Sequence, residues 1–246
     1  MRGDILKKKL MVLCAVAIMI STCLTGCKMN SGKIRFGSAG IGGTYQIFGD
    51  TFANLISSKS KKYNIEVKTT AGSAANLRLL SKDYIQMAVA QMDLINDAYN
   101  RTGIFENDKK YQGYRAVASL YTEACQIVVP ADSDIQSMDD LEGKKVCIGE
   151  EESGTEQNAL QILNAYGLNE RLVDTVNLNY TDAAKKLKSG DIDAFFCTAG
   201  VQTTVINELS KQCKIRLVSL DQKGVSRLKK SYKFYTEYTI PAGTYV

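Results

Sequence analysis

Three short runs combine small residues with hydroxyls where helices would begin: Gly37-Ser38-Ala39-Gly40-Ile41-Gly42-Gly43-Thr44, Gly72-Ser73 and Glu152-Ser153-Gly154-Thr155. The start of a helix leaves backbone N–H groups unpaired and carries the positive end of the helix dipole. A carboxylate or phosphate oxygen can be held there by amides and a neighbouring hydroxyl. Taken singly, each run is an ordinary N-cap or tight turn. Three of them facing one cleft would form an anion receptor that needs no charged catalytic group.

Other chemistries find little support. The 246 residues contain no histidine, which removes Ser-His-Asp, Cys-His and His-metal sites. Gly37-x-x-Gly40-x-Gly42 is close to nucleotide-binding glycine patterns, but Glu66 lies too far along, inside its strand, to serve as the ribose-binding acid. No Gly-Lys-Ser/Thr ending is present, which excludes a P-loop. Ser153 lacks the Gly-x-Ser-x-Gly elbow of an esterase. Glu150-Glu151-Glu152 reads as a solvated turn matched to a helix dipole, and Asp191-Ile192-Asp193 as a turn into a strand with Asp193 capping. Cys125, Cys147, Cys197 and Cys213 have no CxxC spacing, and three of them sit in apolar, strand-like runs. They read as buried free thiols, with a single bridge left open. The expectation is therefore a protein that is not an enzyme and carries no cofactor or metal.

The elements that must position these turns alternate. Lys33–Phe36 reads as a strand, and Tyr45, Phe48, Phe52, Leu55 and Ile56 recur at helical spacing up to Ser58. Asn64–Thr69 reads as a strand, Ala74–Leu80 as a helix, Ile85–Ala90 as a buried strand and Leu94–Tyr99 as a helix. Ala116–Leu120 and Ile127–Val129 read as two further strands, the second closed by Pro130. The rhythm then restarts with strand Lys145–Ile148, helix Glu156–Tyr166 and strand Val176–Leu178. Thr181 is expected to cap helix Asp182–Ser189, Gly190 to end it, and strand Ile192–Phe196 to follow. This order predicts an α/β fold with mostly parallel sheets, and the second start predicts a second domain.

The N-terminus reads as an address. Lys7-Lys8-Lys9 precede an apolar run from Leu10 to Ile20, too short to span a bilayer, followed by Leu24-Thr25-Gly26-Cys27. That ending resembles the bacterial lipobox, which implies cleavage after residue 26 and lipidation of Cys27. Lys28–Lys33 would then be a polar tether. The formal charge of +5 falls to +2 once Arg2, Asp4, Lys7, Lys8 and Lys9 are removed, leaving no basic stripe for nucleic acid.

With these segments in place, the chain resembles the solute-binding receptors of TRAP transporters of the TAXI type. The resemblance rests on Gly42-Gly43-Thr44-Tyr45, the run from Gly72 to Leu80, Val89-Ala90-Gln91-Met92-Asp93 and the run from Ala118 to Glu123. It continues through Asp140 to Val146, Ser153-Gly154-Thr155, Gly190 to Phe196 and Ile240 to Tyr245, in register over essentially the whole chain after Cys27. It implies a two-lobed, periplasmic binding protein-like fold of type 2 with a hinge. Residues 34–123 would form the first lobe, 124–236 the second, and 237–246 an incomplete return to the first. It also implies a small carboxylate or amino-acid ligand, glutamate-like, delivered to a membrane permease from an extracytoplasmic, lipid-anchored position. A sensing or interaction lipoprotein with the same fold is the alternative.

Carried over by position, the ligand would meet Gly43, Thr44, Tyr45, Ser73, Asn76 and Gln91 from the first lobe. The second lobe would offer Ser153, Thr155, Thr198, Ala199 and Gly200, with Glu123 or Asp93 accepting a ligand ammonium. Two departures stand out. Cys197–Val201 lacks the proline this loop commonly has, and the sequence stops at Val246 where relatives continue into elements that complete the first lobe. That stop predicts an uncovered apolar face, at a cost on the order of several kcal/mol.

Overall fold

A three-stranded sheet in the first lobe and a five-stranded sheet in the second organise the chain. The computed structural model describes residues 32–109 and 111–245; the expected signal, the expected lipidation at Cys27 and most of the expected tether lie outside them. In the first lobe, β1 (Lys33–Gly37) is followed by α1 (Thr44–Lys59), β2 (Asn64–Lys68), α2 (Ser73–Ser81), β3 (Met87–Ala88) and α3 (Met92–Asn100). The strand order is β2-β1-β3, with β1 and β3 parallel through Phe36 opposite Met87. The helix α1 brings Phe48 and Phe52 to one face, four residues apart, where both rings meet Phe36 at centroid distances of 6.1 and 5.8 Å.

The second lobe comprises β4 (Ala124–Pro130), β5 (Lys145–Cys147), α4 (Gly154–Ala165), β6 (Asp174–Val176), α5 (Tyr180–Ser189), β7 (Ala194–Ala199), α6 (Thr204–Ser210), β8 (Ile215–Leu217) and α7 (Gln222–Ser231). Its sheet order is β6-β5-β7-β4-β8. Alternation along the strands splits the core in two. Ile127, Val129, Val146 and Phe196 pack beneath α4 and α7, whereas Val128, Cys147, Phe195 and Cys197 pack beneath α5 and α6. A sheet buried on both faces explains why these strands read as continuous apolar runs rather than alternating ones.

Several expectations need correction. The second sheet is mixed: β5 pairs in parallel with β6 and β7, but β4 runs antiparallel to both β7 and β8. Ala116–Leu120 forms no strand; apolar character makes a segment suited to a sheet, but only a ladder partner makes it a strand, and none lies beside it among the described residues. Only Met87 and Ala88 of the expected strand 85–90 are strand, although Gln86 N–H and Val89 N–H still donate to Arg35 O and Gly37 O. The strand expected over Val176–Leu178 occupies Asp174–Val176. Asn179, not Thr181, caps α5, its side chain accepting from Asp182 N–H at 2.9 Å, while Gly190 ends the helix as expected. Three elements, α6, β8 and α7, lie in a stretch the sequence reading left unassigned.

Of the expected return segment 237–246, the described part has no helix or strand. Tyr238 and Ile240 border a broad trough of about 2280 Å³ that Phe36, Phe48 and Phe52 also line. Tyr245 seats on the second lobe, its hydroxyl bonded to Gln126 and accepting from Gln202 N–H. All four described cysteines are free, with Cys147 and Cys197 buried. No described helix is long and apolar enough to cross a membrane.

Candidate functional site

The N-termini of α1, α2, α4 and α5 converge on one small cavity between the lobes. Gly43 before α1 and Gly72 before α2 provide no side-chain cap, so the first-turn amides of both helices are not served by a side chain of their own chain. Ser153 does cap α4, accepting from Glu156 N–H at 3.0 Å. Glu156 in turn reaches back to Glu152 N–H at 2.8 Å, an arrangement close to a capping box. Their shared position gives the cavity four positive dipole ends and a ring of hydroxyls.

Ten of the twelve expected residues line it: Gly43, Thr44, Tyr45, Ser73, Gln91, Glu123, Ser153, Thr155, Thr198 and Ala199. Asn76 does not. It is fully buried, donating to Ser38 O at 2.7 Å and Val89 O at 2.9 Å and accepting from the Thr70 hydroxyl, so it ties the first glycine loop to the end of β3. Gly200 lies just outside, beside Tyr121. Asp93 is also outside, accepting from Asn158 Nδ2 at 3.3 Å, and burial raises its carboxyl above the usual range.

Tyr180, Asn179 and Glu150 line the cavity without having been anticipated, and Gly40 lines it from within the first glycine run. Tyr180 joins Thr155 and Thr198 in a ring: its hydroxyl donates to Thr198 O at 2.9 Å and accepts from Thr155 Oγ1, which accepts from Thr198 N–H. The pattern Asn179-x-x-Asp182 was the available signal, since reading Asn179 as the cap starts α5 at Tyr180 and places that ring at the cleft. Among the described residues five side-chain polar atoms are buried without a partner, and two of them belong to residues that line this cavity, Gln91 Oε1 and Thr198 Oγ1. Buried polar groups without partners are rare in folded proteins, and these two mark where a ligand would complete the bonding.

Tyr45 carries the remaining polar contact, donating to Glu123 Oε2 at 2.9 Å. Burial, then the nearby Glu123 charge, raises the Tyr45 phenol well above its ordinary value. Burial likewise pushes the Glu123 carboxyl up to about 7, against the lowering effect of the Tyr45 hydrogen bond.

The lobes meet around this cavity. Gln91 donates to Asn158 at 2.8 Å, Glu152 O accepts from Ala75 N–H, and Thr181 donates to Ile41 O at 3.1 Å. A Cβ on Gly154 would stand 1.4 Å from Gln91 Oε1, so a larger residue there would displace the Gln91 side chain. The acidic run is not the solvated turn expected. Glu150 lines the cavity, and Glu152, held at φ 64°, sends its carboxylate to Arg78 Nη1 at 2.6 Å. Arg78 is anchored in the first lobe by Asp108 and by Ile104 O, so it bonds Glu152 from a fixed position. Replacing Glu152 by Gln is expected to weaken ligand binding about two- to fivefold, the worth of a partly exposed pair at about 0.5–1 kcal/mol. The deficit should shrink at high salt; calorimetric titration at two ionic strengths checks both effects.

Among the described residues no cluster of acidic or cysteine side chains could hold a metal ion. The cavity leaves about 40 Å³ for the centre of a water-sized sphere, room for a few waters, so a ligand enters only when the lobes part. The trough is much larger, but it exceeds the usual ligand pocket, and although the start of α3 at Gln91–Asp93 borders it, none of the three glycine and hydroxyl turns does.

Two lobes closing over a cleft lined by helix starts define the periplasmic binding protein-like fold. The chain resembles three solved members of it. One is the alkanesulfonate-binding protein of Xanthomonas axonopodis pv. citri bound to MOPS (TM-score 0.52, 18% identity, 76% of this chain and 60% of that one). Another is a binding protein component of an ABC phosphonate transporter from Pseudomonas aeruginosa (0.54, 13%, 86% and 76%). The third is an ancestral arginine-binding protein bound to arginine (0.51, 18%, 82% and 93%). The chain thus spans 60% of the length of the Xanthomonas protein. Residues 36–246 match the NMT1-like family, and the chain belongs to that family.

Proposed function

We propose that this protein is an extracytoplasmic solute-binding receptor that captures a small carboxylate or amino acid, glutamate-like, and delivers it to a membrane permease. The observation that carries this reading is the convergence of uncapped helix N-termini and the unpaired Thr198 hydroxyl on one interlobe cavity. An acid group placed there gains aligned amides and a dipole at each helix start, and the binding energy realised only with the lobes together shifts the population toward the closed form. The structural neighbours named for sulfonate, phosphonate and amino-acid ligands fit an acid head group in the same kind of cleft.

The finer assignments rest on the motif resemblance: a TAXI-type receptor of a TRAP transporter, with lobes at 34–123 and 124–236, a signal ending at residue 26 and a lipid on Cys27. Calorimetric titration of the full-length protein with L-glutamate, L-glutamine, 2-oxoglutarate, short dicarboxylates and alkanesulfonates tests the receptor. Micromolar binding of at least one acid is expected. A folded sample that takes none of them would end the proposal.

A further inference from the structure

The end of the first lobe opposite the cavity carries charges and aromatic rings that solute binding does not use. The starts of α1 and α2 lie at the cavity, so the ends of these helices and the starts of the strands that follow them lie at the other end of the lobe. Four exposed lysines gather there: Lys59 closes α1, Lys61 and Lys62 follow it, and Lys82 stands at the C-terminal end of α2. Two tyrosines stand beside them, Tyr63 at 44% and Tyr84 at 59% exposure. The sheet sets their spacing. Phe36 lies opposite Met87, and Ser38 N–H donates to Lys68 O; counting back along the strands puts Tyr84 and Tyr63 on either side of the start of β1, their backbones about 10 Å apart across two strand spacings.

A lysine at the end of a helix complements the helix dipole, which accounts for Lys59 and Lys82 taken singly. It does not account for Lys61 and Lys62 beyond the helix, nor for two tyrosines left in water. None of the four lysines forms an ion pair among the described residues; Lys62 instead stands 5.2 Å from the centre of the Tyr63 ring. Glu66, the acid on the adjoining strand, is paired with Lys68 at 2.6 Å, which leaves Asp83 as the acid beside the cluster. Lysines interleaved with tyrosines suit a layer of phosphate head groups, because ammonium groups meet phosphate while an amphipathic ring keeps its hydroxyl in water and its body at the acyl boundary. We propose that this end of the first lobe rests on anionic phospholipid head groups, with Lys59, Lys61, Lys62 and Lys82 meeting phosphate and Tyr63 and Tyr84 entering the head-group layer. The chain enters β1 between the two tyrosines, where the expected tether from residue 27 arrives. A 16-residue helix is about 24 Å long, so the cavity at the start of α1 stays clear of the lipid. The proposal draws on the expected anchoring at Cys27 and is independent of which solute the cavity takes.

The chain has no tryptophan, so Tyr84→Trp supplies a single emitter on this face and Leu172→Trp one on the second lobe. Each full-length protein is mixed with vesicles of phosphatidylcholine alone or with about 30% phosphatidylglycerol, at low and at high salt, and binding is read by sedimentation. Emission of the Tyr84→Trp protein should move to the blue on the anionic vesicles at low salt and return at high salt, while that of the Leu172→Trp protein stays where it is. Replacing Lys59, Lys61, Lys62 and Lys82 together by Gln, with the melting profile unchanged, should cut the preference for anionic over neutral vesicles at least twentyfold, since each lysine at such a surface is worth roughly fivefold. If the Tyr84→Trp protein sediments with the vesicles and its emission does not move, or if the Leu172→Trp emission moves as much, this face is overturned while the anchor stands. If nothing sediments, face and anchor both fall, and the solute titration above still decides the receptor. Dimers formed without lipid and lost in the four-lysine variant would make this an interface between copies and overturn the lipid assignment.

Discussion

Gly72→Val is expected to reduce ligand affinity by a hundredfold or more. Gly72 sits at φ 132° and ψ −145°, a region that side-chain-bearing residues avoid at a cost on the order of 1–3 kcal/mol. It also stands where the lobes touch, since a Cβ there would lie 3.4 Å from Ser153 Cα and 3.5 Å from its Cβ. An alanine methyl would only touch Ser153, but the branches of valine would prop the starts of α2 and α4 apart. Under the proposed function these helix starts hold the same anion, so separating them would remove one set of amides entirely. Comparing Gly72→Ala with Gly72→Val in binding and melting experiments separates the two causes. Both lose stability through the backbone, and only valine should abolish binding. Wild-type affinity in the valine protein would mean that the lobes do not meet there.

The largest effect on stability is expected from Phe196→Ala. Phe196 lies on β7, the middle strand of the five, and is fully buried beneath α4 together with Ile127, Val146 and Ile162. Phe195, its neighbour, fills the opposite face. A cavity of this size costs about 3–5 kcal/mol, a large share of the 5–15 typical of a whole domain. The melting temperature should drop by roughly 6–20 °C for a chain of this length. A fall of less than 3 °C would mean that the sheet does not form the core of its lobe.

How far the sequence discloses this molecule follows from which interactions are local. Helix α1 and strands β1 and β2 were legible because Tyr45, Phe48, Phe52 and the run from Asn64 carry their own periodicity. Ala116–Leu120 shows apolar residues but not the partner a ladder requires. Helix α7 escapes the sequence reading because Gln222–Ser231 is polar, has a glycine in its first turn, and hides its two buried residues, Gly224 and Leu228, among lysines. In the site, hydroxyls and glycines at helix starts were legible because capping chemistry is local. Asn76, carried over by position from the family resemblance, stands outside the cavity because its partners Ser38 O and Val89 O, distant in sequence, hold it in the first lobe. Arg78 meeting Glu152 was beyond reach, since it depends on how two lobes come together.

The register of β4 against β7, with Ala124 opposite Ala199 and Cys125 opposite Thr198, leaves a last consequence. Glu123 immediately precedes β4, so its carboxyl stands at the junction of the lobes, next to the stiff jaw that carries the Thr198 hydroxyl and facing Tyr45 on the other, which also carries Ser73 and Gln91. The seam between jaws runs through the Tyr45 to Glu123 contact. Under the proposed function, substitutions on either side of that seam would re-tune which solute is accepted while leaving both sheets as they are, which gives the scaffold a cheap route to new preferences.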